Sequence, residues 1–86
     1  VDGGAERALT DRPNSLLPAG VVAVRGAFAE GDTVDIVGPH GRAFARGLAA
    51  VDGAVARAVV GLRTGDLPDG VNHEVVHRDD LVVLPT

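Results

Sequence analysis

The chain has 86 residues and a net charge of −4, with no cysteine, methionine, tryptophan or tyrosine. Its 45% hydrophobic and 23% charged residues suit one small folded domain and leave no room for a second. The missing cysteines exclude a disulfide scaffold and any thiolate zinc site, and no apolar run reaches the roughly 20 residues a membrane span needs.

Taken in chain order, Asp2 to Thr10 reads as a helix. Asp2 is a good cap, Glu6 suits the first turn, and Ala5, Ala8 and Leu9 form an apolar face. Pro13 ends it by biasing its predecessor away from the α region. Ser15 to Gly20 is a loop with apolar content, and Val21 to Gly26 is short and β-branched, the pattern of a buried strand. Gly31-Asp32 closes a connection. Thr33 to Val37 then alternates, with Val34 and Ile36 on one face. Gly38-Pro39-His40-Gly41 is a turn, and Arg42 to Val51 is the returning strand of a hairpin. On that strand Arg42, Phe44, Arg46 and Leu48 share one face, and the small residues Ala43, Ala45, Gly47 and Ala49 share the other. Those small side chains let another element pack closely.

Asp52 caps a second helix over 53–60, with Val55, Ala56, Val59 and Val60 on its inner stripe, Arg57 outside it and Gly61 at its end. Residues 63–72 are irregular. Glu74 to Arg78 and Leu81 to Leu84 are strands separated at Asp79-Asp80 by a turn or bulge. Short strands at close spacing with two helices imply a mixed, mainly β fold, a small barrel.

Little in the chain carries chemistry. His77-Arg78-Asp79 imitates a protein-kinase catalytic loop, but the following Asn, the Gly-rich loop and the metal-binding Asp-Phe-Gly are all missing. His40, His73 and His77 lack metal-ligand spacing, and Ser15, the sole serine, has no base near it in sequence. No catalytic residue and no metal site are expected. Acids outnumber bases by 12 to 8 and every basic side chain bar histidine is Arg, which disfavours RNA as a partner because phosphate binding draws on a cationic excess. One constellation stands out. Arg42 and Arg46 flank Phe44, an arrangement that can stack a base and pair phosphates. The competing reading sets Phe44 and Leu48 in the core with the Arg stems reaching outward, and the negative net charge favours it.

Several stretches together resemble a known family. They are Gly4-Ala5 with Ala8-Leu9, Ser15-Leu16-Leu17-Pro18-Ala19-Gly20-Val21, Val24-Arg25-Gly26-Ala27-Phe28, Gly31-Asp32-Thr33-Val34, Ala45-Arg46-Gly47-Leu48, and Glu74 through Val82. The chain is similar over its whole length to the C-terminal PUA domain of bacterial glutamate 5-kinases. The resemblance implies a PUA-like pseudobarrel of mostly antiparallel strands with small flanking helices, forming a single domain over 1–86. The absence of an initiator Met agrees with a domain excised from a longer enzyme, whose N-terminal amino-acid kinase domain is not present here. That implied parent is cytoplasmic and phosphorylates the γ-carboxylate of L-glutamate with ATP and Mg²⁺, the first step of proline biosynthesis, under feedback inhibition by proline. The fragment itself would carry no cofactor. Its implied partners are the kinase domain of the same chain and neighbouring subunits of a homo-oligomer.

In RNA-modifying relatives of the PUA fold, the loop after the first helix touches RNA. The resemblance therefore adds Leu17, Pro18, Ala19, Gly20 and Val21 to the candidate ligand face of Arg42, Phe44 and Arg46. The sequence departs from the kinase-family pattern at Asn14, where Lys is frequent, and at Ala49-Ala50, where Asn-Tyr is frequent. Both departures remove groups useful to nucleic acid. A regulatory or assembly module, an RNA-binding module and a purely stabilising appendage all remain consistent with this composition.

Overall fold

The computed structural model describes residues 1–12 and 14–85. The helix stop assigned to Pro13 lies outside them. Helix α1 spans Gly3–Asp11. Its cap is the expected one: the Asp2 carboxylate accepts from the Ala5 amide at 2.8 Å, satisfying a donor the helix start leaves free. Leu9 is the buried residue of its inner face and Ala5 lies half-buried. Ala8 faces solvent instead of sharing that face.

Strands β1 (Thr33–Val37) and β2 (Ala43–Ala49) form the expected antiparallel hairpin. The turn between them closes with Gly38 N–H donating to the Arg42 carbonyl at 3.0 Å and Gly41 N–H to the Gly38 carbonyl at 3.1 Å. Gly41 has φ +78, a conformation that disfavours a side chain. Helix α2 covers Gly53–Ala58, capped by Asp52, which accepts from the Val55 amide at 2.8 Å. Strand β3 (Val76–Val83) adds antiparallel to β2, so the three-stranded sheet runs β1-β2-β3.

The inner face of β2 is the small one. Ala45, Gly47 and Ala49 are buried while Arg46 and Leu48 are exposed. Gly47 explains how β3 fits. A Cβ there would lie 2.6 Å from Val76 Cγ1 and 2.7 Å from the Asp80 carbonyl. The register shows why β3 crowds this spot: Gly47 pairs with Leu81, but Ala49 pairs with Val76, so His77 to Asp80 bulge across β2. The two strands expected near the C-terminus are therefore one bulged strand, with Asp79-Asp80 in the bulge. Ser15 Oγ accepts from the Arg78 amide at 3.0 Å within it. Bulges of this kind leave backbone groups unpaired in the ladder, and side chains commonly take them up.

The strand expected over Val21 to Gly26 does not form. This segment is tied to α2 instead of the sheet: the Arg57 guanidinium donates to the Gly26 carbonyl, and Gly53 N–H donates to the Phe28 carbonyl at 2.9 Å. Gly26 at φ +78 turns the chain there. Val21 is buried and Val24 half-buried, so side chains rather than a ladder hold the segment down. A groove of about 890 Å³ separates it from β1.

The core joins Leu9, Leu16, Val21, Ile36, Ala45, Val51, Ala56, Val75 and Val76. Leu16 stitches the N-terminal loop to β3, donating to the Val76 carbonyl at 2.8 Å and accepting from the Val75 amide at 2.7 Å. No polar or charged residue among those described is buried. Among the described residues the architecture is mainly β, with one antiparallel sheet and two small α-helices. Among the described residues no helix is long and apolar enough to cross a membrane.

Candidate functional site

The loop residues come first. Pro18 to Gly20 form a single 3-10 turn, and Pro18 is fully buried. Its carbonyl accepts from Val21 N–H at 3.0 Å and Gly61 N–H at 2.9 Å, tying the loop to the end of α2. Gly20 packs against α1: a Cβ there would stand 3.2 Å from the Ala5 Cβ. Its small size therefore serves a helix contact. Val21 is buried in the core. Leu17 and Ala19 are exposed and Gly20 is half-buried, and the loop carries no charge of its own. It offers apolar contact and no side-chain grip on phosphate.

Arg42, Phe44 and Arg46 do not share one face. The register shifts between Ile36 and Val37, so that Ile36 pairs with Ala45 and Val37 with Ala43. Phe44 falls between those pairs, and a bulge of this kind ends the strict alternation along the strand. Arg46 lies on the outer sheet face opposite Asp35 and Val82. Its Nε donates to Asp35 Oδ1 at 2.8 Å, with both side chains about half exposed (53% and 49%). Arg46 is thus a neutralised cation. Leu48 on the same face is 43% exposed and Val82 65%. The reading that put Phe44 and Leu48 in the core holds for Phe44, which is half-buried against it, and is corrected for Leu48: Ala45, Gly47 and Ala49 take the inner side, where β3 leaves no room for a side chain at Gly47.

Arg42 and Phe44 instead line a separate cleft of about 310 Å³ with Glu6, Gly38 and His40. This cleft lies between α1 and the β1–β2 turn. Glu6 and His40 carry no mark in the sequence that would assign them to it, because the approach of α1 to the hairpin turn is a long-range event. The only local hint is Gly38, whose missing side chain leaves room for the Glu6 carboxylate. The cleft and the larger groove beside Val21 share Gly38 alone. The candidate residues therefore fall on three surfaces: the 3-10 loop, the outer sheet face and the α1–hairpin cleft.

The His77-Arg78-Asp79 stretch occupies the β3 bulge. His77 accepts from the Asp79 amide through Nδ1 at 3.1 Å, and Glu74 Oε1 lies 3.9 Å from its Nε2. These are local turn contacts on a half-exposed surface. Among the described residues no group of three or more His, Cys, Asp or Glu is placed to hold a metal ion.

The comparisons with known proteins agree with this architecture. The PUA domain family matches residues 1–70. The chain is 47% identical over 90 residues to a glutamate 5-kinase of Anaeromyxobacter dehalogenans, covering all of this chain and 24% of that protein. It is 49% identical over 88 residues to the glutamate 5-kinase of Frankia casuarinae, covering 98% of this chain and 24% of that one. The Rhodococcus opacus glutamate 5-kinase is 48% identical over 84 residues, with 98% and 23% covered. The chain thus spans about a quarter of the length of the curated relatives it matches, in their C-terminal part. On the family match, the identity to these C-terminal segments and the mainly β architecture, the chain belongs to the PUA domain family.

Proposed function

We propose that this PUA domain is a non-catalytic regulatory or assembly module of a protein resembling glutamate 5-kinase. In that reading ATP, Mg²⁺ and L-glutamate are handled by a kinase domain elsewhere in the same chain. The PUA domain docks on that domain, or on a neighbouring subunit, and tunes proline inhibition, Mg²⁺ demand or oligomeric state.

The observation that supports docking is the outer sheet face. Val82, paired with Arg46 from β3, and Leu48, two residues along β2, both stand exposed beside Arg46, and Arg46 is already paired with Asp35. An apolar surface around a self-satisfied ion pair suits contact with protein: the pair needs no partner charge, and the flanking side chains gain by leaving water. The same pairing speaks against RNA, since a cation held by a carboxylate releases few counterions on meeting phosphate.

The test is Leu48→Gln with Val82→Glu in a full-length chain carrying this domain. Both positions are exposed, so the isolated domain should keep its stability to within about 0.5 kcal/mol. The full-length variant is expected to shift its proline inhibition, Mg²⁺ dependence or sedimentation. Unchanged values in all three would overturn docking through this face.

A further inference from the structure

We propose that the cleft between α1 and the β1–β2 turn binds a small zwitterion, one carrying a carboxylate and an ammonium group on a short apolar body. The cleft is separate from the outer sheet face, so this inference does not depend on the docking reading.

Its lining sets the ligand chemistry. Glu6 supplies an anion, Arg42 a cation, Phe44 an aromatic wall, and His40 with Gly38 the rim at the turn. Among the described residues, neither Glu6 nor Arg42 takes part in an ion pair; the four pairs present involve Asp35, Arg46, Glu74, His77, Arg78 and Asp79. Opposite charges in one cleft usually neutralise each other where they can meet. Here the Glu6 carboxylate is seated instead over the bare Cα of Gly38, in the space a Cβ would fill. Gly38 is buried and fixed by hydrogen bonds to Arg42 and Gly41, so this seat is defined by the hairpin backbone.

Two opposite charges bordering one cavity, neither of them in an ion pair among the described residues, discriminate among ligand classes. A simple anion meets Glu6 and is repelled. A simple cation meets Arg42 with the same result. A zwitterion satisfies both, its carboxylate accepting from the planar guanidinium fork and its ammonium donating to Glu6. Phe44, half-buried against the core where it lines the cleft, adds a surface for the apolar body. The volume of about 310 Å³ lies at the small end of ligand cavities, enough for a free amino acid of modest size and too small for a nucleotide.

The experiment titrates the isotope-labelled 86-residue chain with L-valine, and separately with N-acetyl-L-valine and L-valinamide, following amide NMR shifts. Saturable shifts at Gly38, His40 and Phe44 with L-valine are expected, with Kd on the order of 1 mM. Each blocked derivative should bind about tenfold or more weakly, since each removes one charge-assisted contact. Glu6→Gln should have a similar effect. Gly38→Ala is the sharper variant. Its backbone is not in the left-handed region, so the fold should survive while the new methyl displaces the Glu6 carboxylate. L-Valine binding should then fall about tenfold with the far-UV spectrum unchanged. The proposal is overturned if L-valine gives no saturation up to about 50 mM. It is equally overturned if N-acetyl-L-valine or L-valinamide binds as well as L-valine, which would make the cleft a simple anion or cation site.

Discussion

Gly47→Ala adds a single methyl group at the most crowded point of the sheet. The new Cβ would sit 2.6 Å from Val76 Cγ1, 2.7 Å from the Asp80 carbonyl oxygen and 3.3 Å from Leu81 Cα. Val76 is 0% exposed and has nowhere to swing, and the other two contacts are backbone. Relief requires the bulge of β3 to lift off β2, which loosens the Arg46–Val82 and Gly47–Leu81 pairs as well. Overpacking a core costs about 1–3 kcal/mol. With backbone on one side of the clash, about 3 kcal/mol is the expected value. A chain of this length holds about 4–13 kcal/mol in total, so the loss is a large fraction. The melting temperature should fall by about 12–24 °C, at about 4–8 °C per kcal/mol for a domain of this size. Far-UV circular dichroism during urea and thermal unfolding is the assay, because the chain has no Trp or Tyr to report by fluorescence. Gly65→Ala is the control: nothing lies within 4 Å of its Cβ position and its φ is unexceptional, so it should stay within about 0.5 kcal/mol of the parent. If Gly47→Ala melts within about 0.5 kcal/mol of the parent too, the account of β3 closing over a glycine is wrong.

Asp52→Ala removes the side-chain acceptor of the Val55 amide and should destabilise the chain by about 1 kcal/mol in the same urea titration. Val76→Ala, at a position with no exposure, should lose about 2–3 kcal/mol from transfer and cavity terms together. Arg46→Ala breaks an ion pair that is about half exposed; its stability cost should stay below about 1 kcal/mol, and a larger one would show that the pair anchors the sheet. Titration of the domain with a structured RNA hairpin, followed by anisotropy at several salt concentrations, should give at most weak binding with a shallow salt slope. A total slope steeper than about −3, which counts three or more phosphate contacts at about −0.9 each, would instead establish an RNA face.

Where a residue's role is decided by its neighbours in sequence, the chain was readable. Asp2 and Asp52 cap their helices because a carboxylate before an apolar stripe meets the free amides of the first turn. The β1–β2 hairpin follows from alternation on both sides of Gly38-Pro39-His40-Gly41. The small residues of β2 announce close packing, and β3 supplies it. Long-range choices were not readable. Val21 to Gly26 has the composition of a strand, yet Arg57 holds its end at Gly26 to α2 and Gly53 holds Phe28 just beyond it, and no local pattern foretells either contact. The bulge at Phe44 breaks an alternation that the sequence displays without interruption. It separates Arg42 and Phe44 from Arg46, so a one-face cluster in the sequence becomes two surfaces in space. Glu6 joins Arg42 only through the packing of α1 on the hairpin turn. The family signal, by contrast, needed no register at all: it rests on the runs Ser15 to Val21 and Glu74 to Val82 together.

The most direct test of the regulatory reading compares a full-length chain carrying this domain with the same chain lacking it. Glutamate-dependent ATP turnover would be recorded across proline and Mg²⁺ concentrations, with sedimentation on the same samples. The account predicts that turnover persists without the domain while proline inhibition, Mg²⁺ demand or assembly shifts. Superimposable curves and equal association states would contradict it and leave the domain a stabilising appendage.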